Sequence, residues 1–284
     1  MRRCNGPFQV FAGVSLAVMV GAVATPRPAL ADALAFASHR AIYDLKLATS
    51  RGSKSIAGVR GRIVYDFTGN ACEGYALSFR QVTELDNGEG KVAVSDLRST
   101  TWEEGTGKSY RFNFQNFISD QLVDASDGRA DRRSDGIGVH VAKPEDKQFD
   151  LAPAVVFPTE HMRRILEAAR EGKTVLEVQV FDGSENGEKL YNTLTVIGRE
   201  IAPDEKKPTD VAADQAALKG MKRWPVTISY FDKAGKGGEQ TPVYAITFEL
   251  YENGISRALS LDYGDFTISG EMTTLEIRDV KPCQ

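Results

Sequence analysis

Past residue 31 the hydrophobic pattern of this chain repeats every second residue. In Ala41–Leu47 the apolar positions Tyr43, Leu45 and Leu47 share one face, and in Arg62–Phe67 so do Ile63, Tyr65 and Phe67. A period of two marks a half-buried strand, because successive side chains point to opposite faces. The same reading predicts strands over 74–84, 92–102, 109–117, 138–143, 174–181, 190–201, 224–231, 244–251, 256–263 and 266–278. Turn signals stand at Asp86-Asn87-Gly88, Glu104-Gly105-Thr106-Gly107, Asp127-Gly128, Asp182-Gly183, Asn253-Gly254 and Tyr263-Gly264. Such turns join neighbouring strands as hairpins. A large antiparallel sheet must close, curl or split to hide its edges. The predicted fold class is therefore all-β, a many-stranded antiparallel open or spiral-like β-barrel.

Two stretches break the alternation. Residues 158–172 read as a helix, with Thr159 as its N-cap, Met162, Ile165, Leu166 and Ala169 on one face, and Gly172 as its stop. One amphipathic helix beside a large sheet is expected to pack on it or to plug the barrel. Residues 206–218 are poor in aromatic and β-branched types and read as a long connection, with a helical or mobile part over 212–218.

The N-terminus has a different character. Met1-Arg2-Arg3 is a positive start, 8–24 a mostly apolar run, and Ala29-Leu30-Ala31 a small-residue cleavage site. Together these are the parts of a secretory signal peptide, with cleavage expected after Ala31. Asp32, not a cysteine, follows the site, which speaks against a lipid anchor. The expected organisation is a signal peptide over 1–31 and a single barrel-like domain over 32–284. Two sheet domains parted near 203–214 are the alternative. Cleavage removes three arginines and no acid, leaving 32 basic residues against 39 acidic ones, a net charge of −7. That balance lends no support to nucleic-acid or anionic-lipid binding, and no long apolar run follows the signal to span a membrane. Export leaves two cysteines, Cys72 and Cys283. An even pair in an oxidising compartment such as the periplasm is expected to form one disulfide.

Candidate chemistry is sparse. Asp182-Gly183-Ser184-Glu185-Asn186-Gly187 begins like a calcium loop, but its twelfth place is Thr193 where a bidentate Glu is required, so a polar turn is the better reading. His39, His140 and His161 are widely spaced and no zinc-ligand spacing occurs. Glu103 and Glu104 could join a carboxylate pair of the glycosidase kind, although separation and environment define that chemistry and neither is readable here. Gly235-Lys236-Gly237-Gly238 lacks phosphate-loop spacing and reads as a hairpin tip. No Gly-x-Ser-x-Gly elbow appears. The residues thus predict no catalytic, metal or cofactor site and a protein that is not an enzyme.

Several strings carry a family resemblance. Gly61–Tyr75, with Asn70-Ala71-Cys72-Glu73-Gly74 as its most specific part, is similar to the N-terminal signature of the EipB-like family of periplasmic envelope proteins of Gram-negative bacteria. Ser95–Thr101, Val156–His161, Phe181–Ser184 and the closing Cys283 resemble that family too. The resemblance implies a spiral-like open barrel with one disulfide, a shape related to lipoprotein carriers, and a role in envelope integrity under stress. It leaves three functions to weigh. The first is a binding protein that holds a lipid or lipoprotein acyl chain, or a segment of a periplasmic protein partner, in the concave face. The second is an interaction protein with a filled core, and the third a hydrolase of envelope polymers. A concave pocket would be walled by inward residues such as Tyr65, Phe67, Phe112, Phe114, Tyr230 or Phe248.

Overall fold

The computed structural model describes residues 35–51, 56–232, 241–280 and 283. The expected signal peptide and the 235–238 tip lie outside them. Fourteen strands and one α-helix follow one another: β1 (His39–Ser50), β2 (Gly58–Asn70), β3 (Gly74–Asp86), β4 (Val92–Glu103), β5 (Ser109–Ile118), β6 (Gln121–Arg132), β7 (Ile137–Lys143), β8 (Lys147–Leu151), α1 (Pro158–Arg170), β9 (Val175–Phe181), β10 (Leu190–Ile197), β11 (Arg223–Asp232), β12 (Tyr244–Tyr251), β13 (Ser256–Asp262) and β14 (Phe266–Ile277). Each predicted strand is present. Two more, β6 and β8, were not anticipated. Asp127-Gly128, read from the sequence as a turn, sits inside β6, held by pairing on both sides to β5 and β7.

All the strands belong to one antiparallel sheet in the order β8-β7-β6-β5-β4-β3-β2-β1-β14-β13-β12-β11-β10-β9. The chain therefore meanders outward to β8, crosses through α1 to the other edge at β9, and meanders back until β14 pairs with β1. The register of β1 against both neighbours puts Ala41, Tyr43 and Leu45 on one buried face. The two edge strands do not pair with each other. Instead the segment after β8 adds a short parallel bridge to β9, in which Val156 N donates to Gln179 O at 2.9 Å and Phe181 N to Val156 O at 3.0 Å.

The result is a spiral, because the β9–β10 end of the sheet tucks inside its β5–β8 end. Phe181 and Leu190, paired on one face of β9 and β10, pack with Tyr110, Phe112, Ile137, Val139 and Val141. Residues on the opposite face, among them Leu176 and Ile197, join a second and larger apolar cluster. A sheet buried on both faces needs close approach of backbones. A Cβ placed on Gly183, in the β9–β10 turn, would lie 2.4 Å from the Phe112 ring, so only glycine fits there. The strand facing that turn answers with small inward residues: Ser126, Gly128 and Ala130 stand opposite Phe114, Phe112 and Tyr110. Ser126 Oγ donates to Gly183 O at 2.6 Å.

The connection 199–222 forms two short 3-10 turns, Val211–Ala213 and Ala216–Leu218. It packs against β14, with Ala212, Ala213 and Leu218 buried in the larger apolar cluster, and is tied down by ion pairs. Asp210 pairs with Arg257 at 2.5 Å and accepts from Met272 N at 3.0 Å, and Glu249 pairs with Arg257 and with Arg223. Arg223 is only 1% exposed, so these partners are what make its burial tolerable. Cys72, in the β2–β3 turn, is disulfide-bonded to Cys283 beyond β14, with the Cα atoms 5.7 Å apart. Asn70 Oδ1 shapes that turn by accepting from the amides of Cys72 and Glu73.

Candidate functional site

Helix α1 covers one end of the barrel, and its attachment is unusual. Thr159 does not cap it. The N-cap is Phe157, whose side chain has no atom to accept a cap bond; Pro158 occupies the first helical position, and the free amides lie one and two residues further on. Those amides are met from outside the helix: Thr159 N donates to Glu103 Oε2 at 2.7 Å and Glu160 N to Glu103 Oε1 at 2.8 Å. The end of β4 thus supplies the acceptor oxygens that the free amides of a helix N-terminus require. Glu103 is 3% exposed, and burial, outweighing the two amide bonds, pushes its carboxyl up to about 7. Glu160 is held by Arg132 at 3.0 Å and by Arg164 at 2.5 Å. At the far end Gly172, at φ +72°, closes a Schellman motif, with Gly172 N donating to Ala169 O and Lys173 N to Ala168 O.

Beneath the first turns of α1 lies a cavity of about 190 Å³. Phe67, Met162, Ile228, Ile246 and Phe248 form much of its apolar wall, Phe36 and Asn253-Gly254 border it near the helix, and His39, Tyr65 and Tyr230 supply polar tips. No described residue lining it carries a formal charge at neutral pH. This hollow brings together four of the six aromatics expected to wall a pocket: Tyr65, Phe67, Tyr230 and Phe248. Phe112 and Phe114 belong elsewhere, in and against the smaller cluster between the overlapping layers, because the β9–β10 turn fills the space before them. The wall residues that the sequence reading missed, Ile228, Ile246 and Met162, are aliphatic. Their periodicity was readable, but the strands and helix that meet there are far apart in sequence.

The other candidates take structural parts. Glu104 accepts from Thr106 N, Thr106 Oγ1 and Lys108 N in the β4–β5 turn, and the Thr106 hydroxyl bond leads in holding its carboxyl below the usual range. Asp182 Oδ1 accepts from Ser184 N and Oγ within the β9–β10 turn, while Thr193 turns away to donate to Val178 O. Among the described residues no group of three His, Cys, Asp or Glu side chains could hold a metal ion. His161, on the buried side of α1, is 3% exposed, and burial, with help from Arg164, lowers it to about 4. His140 contacts Asp146 at 3.4 Å on the surface. No helix among the described residues is long and apolar enough to cross a membrane.

With this geometry in place, comparison with known proteins is informative. The EipB-like family matches residues 30–279. Cell envelope integrity protein EipB of Brucella abortus (strain 2308) is 38% identical over 250 residues, covering 88% of this chain and 87% of its own length. A crystal structure of a β-barrel-like protein of a domain of unknown function, also from Brucella abortus, superposes with a TM-score of 0.79 at 37% identity, covering 87% of this chain and all of that one. Sequence, fold and the extent of both matches agree that this chain belongs to the EipB-like family.

Proposed function

We propose that this protein is a periplasmic, non-enzymatic envelope protein that supports cell-envelope integrity by holding an apolar chain in the cavity under α1. The observation that carries the reading is the uncharged, largely apolar hollow enclosed by Phe67, Met162, Ile228, Ile246 and Phe248. Burying an aliphatic chain there gains about 25 cal/mol for each Å² removed from water. The reading is further supported by the envelope role in the name of the Brucella relative and by the signal-peptide pattern of residues 1–31. The chain held belongs to a lipid or to a lipidated protein, whose head group stays outside.

The test is lipid extraction and mass spectrometry of the protein purified from its native envelope, paired with a gene deletion. Recovery of an aliphatic ligand, together with sensitivity of the deletion strain to detergent or cell-wall antibiotics, is the expected result. Normal resistance of the deletion strain, or turnover of an envelope polymer by the pure protein, overturns it.

A further inference from the structure

The cavity wall holds two polar groups that the protein itself leaves unused. His39 lines the hollow and is only 3% exposed. Its Nδ1 lies 2.7 Å from Ala37 O, and a carbonyl can only accept, so Nδ1 carries the proton. Burial lowers the ring's affinity for a second proton, so the ring is neutral and Nε2 is a bare acceptor. Tyr65 stacks on it, ring centroids 5.5 Å apart, and lines the same hollow. Neither the Tyr65 hydroxyl nor His39 Nε2 has a hydrogen-bond partner among the described residues. Nor is either sealed in by protein, as Arg40 Nε, Asn116 Oδ1 and Arg257 Nε are. Both residues are part of the cavity lining.

A polar group at such a depth costs free energy unless it is matched, so an acceptor beside a hydroxyl in an apolar wall defines what fits there. A plain hydrocarbon leaves both unmatched. An ester or ether oxygen only accepts, which satisfies Tyr65 but not His39 Nε2. A carboxylate only accepts, and no described residue of the lining is a cation. A hydroxyl or a secondary amide donates and accepts at once. We infer that the cavity selects an aliphatic chain bearing a hydroxyl or a secondary amide in its buried part, read by His39 Nε2 as acceptor and the Tyr65 hydroxyl as donor.

This inference rests on the apolar-chain reading above, and calorimetry with four probes of matched length separates the two. The probes are n-octane, 1-octanol, pentyl propanoate and N-pentylpropanamide. The alcohol and the amide are expected to bind about three- to tenfold more tightly than the ester, and the ester more tightly than the alkane by a similar factor, each step the scale of one net hydrogen bond. If only one of the two gains, that arm names the source, a hydroxylated chain or an amide-linked one. Tyr65→Phe keeps the ring and should erase the ester's advantage over octane and weaken the alcohol and the amide by a similar factor, without weakening octane. His39→Asn keeps a donor for Ala37 O and should remove the amide's advantage over the ester. Equal binding of all four probes, or a His39→Asn protein that keeps the amide's preference over the ester, overturns the inference and leaves the cavity reading standing. Failure of every probe to bind wild-type protein overturns both.

Discussion

The two apolar clusters of this spiral are made from the same kind of strand and end differently. The smaller one, between β5–β8 and the tucked end of β9–β10, is filled: Tyr110, Phe157, Phe181, Ile137 and Val141 are at most 1% exposed. The larger one, around the barrel axis, keeps a hollow bordered by Phe67, Ile228, Ile246 and Phe248. What separates them is the cover. A second layer of sheet presses on the small cluster, and small residues on β6 let it approach. Over the hollow the cover is a single helix, and one helix cannot fill a barrel end.

That contrast is sharpest in truncation. Phe157 is fully buried and stacked on Tyr110 with ring centroids 5.1 Å apart. Phe157→Ala should therefore cost about 3–5 kcal/mol by equilibrium denaturation. Phe248→Ala faces a void on one side, so fewer contacts vanish and the cost should be about 1–2 kcal/mol smaller. Equal losses would mean that the hollow is as well packed as the overlap.

The disulfide serves only one side of the comparison. It fastens the tail beyond β14 to the β2–β3 turn, beside the aromatics Phe36, Phe67 and Tyr75 of the large cluster. Closing so long a loop is worth about 5 kcal/mol by chain entropy, an upper figure, and about 2–4 kcal/mol is typical of measured disulfides. Cys72→Ser should lower the thermal midpoint and speed amide exchange in β1, β2 and β14 more than in β6–β8. Uniform acceleration across both clusters would show that the spiral opens as one unit.

Strand alternation and hairpin turns were legible in the sequence because both are local, as were the helix, its Gly172 stop and the cysteine pair. β6 escaped notice since Asp124, Ser126, Asp127, Gly128 and Ala130 look like a turn until Phe112 and the β9–β10 turn explain why they must be small. The helix cap escaped for a related reason: its acceptor, Glu103, is more than fifty residues away. Which aromatics face the hollow depends on the curl of the whole sheet, a non-local property, so Phe112 and Tyr65 look alike in sequence and part company in space.

Glu103 joins the two regions, because the helix it holds has its N-cap Phe157 in the small cluster and Ile165 and Leu166 in the large one. Its carboxyl, near 4.5 when unfolded, is pushed up to about 7 in the fold, chiefly by burial. The fold thus favours the protonated form. The stability this group contributes is full below about pH 4.5 and lost as pH rises through 7. Gln does not titrate. Glu103→Gln loses one acceptor for the helix amides, yet relative to wild type it should gain on the order of 2 kcal/mol between about pH 5 and about pH 8. A stability difference independent of pH would show that the two amides, not burial, govern this carboxyl.

The smallest effect on stability should come from filling the hollow. Ile246 borders the cavity and is partly buried, paired across the sheet with Ile228 and Leu261. Ile246→Phe adds a ring where space exists, so strain should stay within about 1.5 kcal/mol, well below what overpacking the overlap would cost. Binding should respond far more than folding. An octane or octanol probe that binds wild-type protein should lose measurable affinity for Ile246→Phe with a midpoint lowered by only a few degrees at most, whereas Val141→Phe in the small cluster should lower the midpoint sharply. Should Ile246→Phe bind the probe as well as wild type does, the ligand would have to lie outside the barrel axis, and the filled and hollow clusters would differ in packing without differing in use.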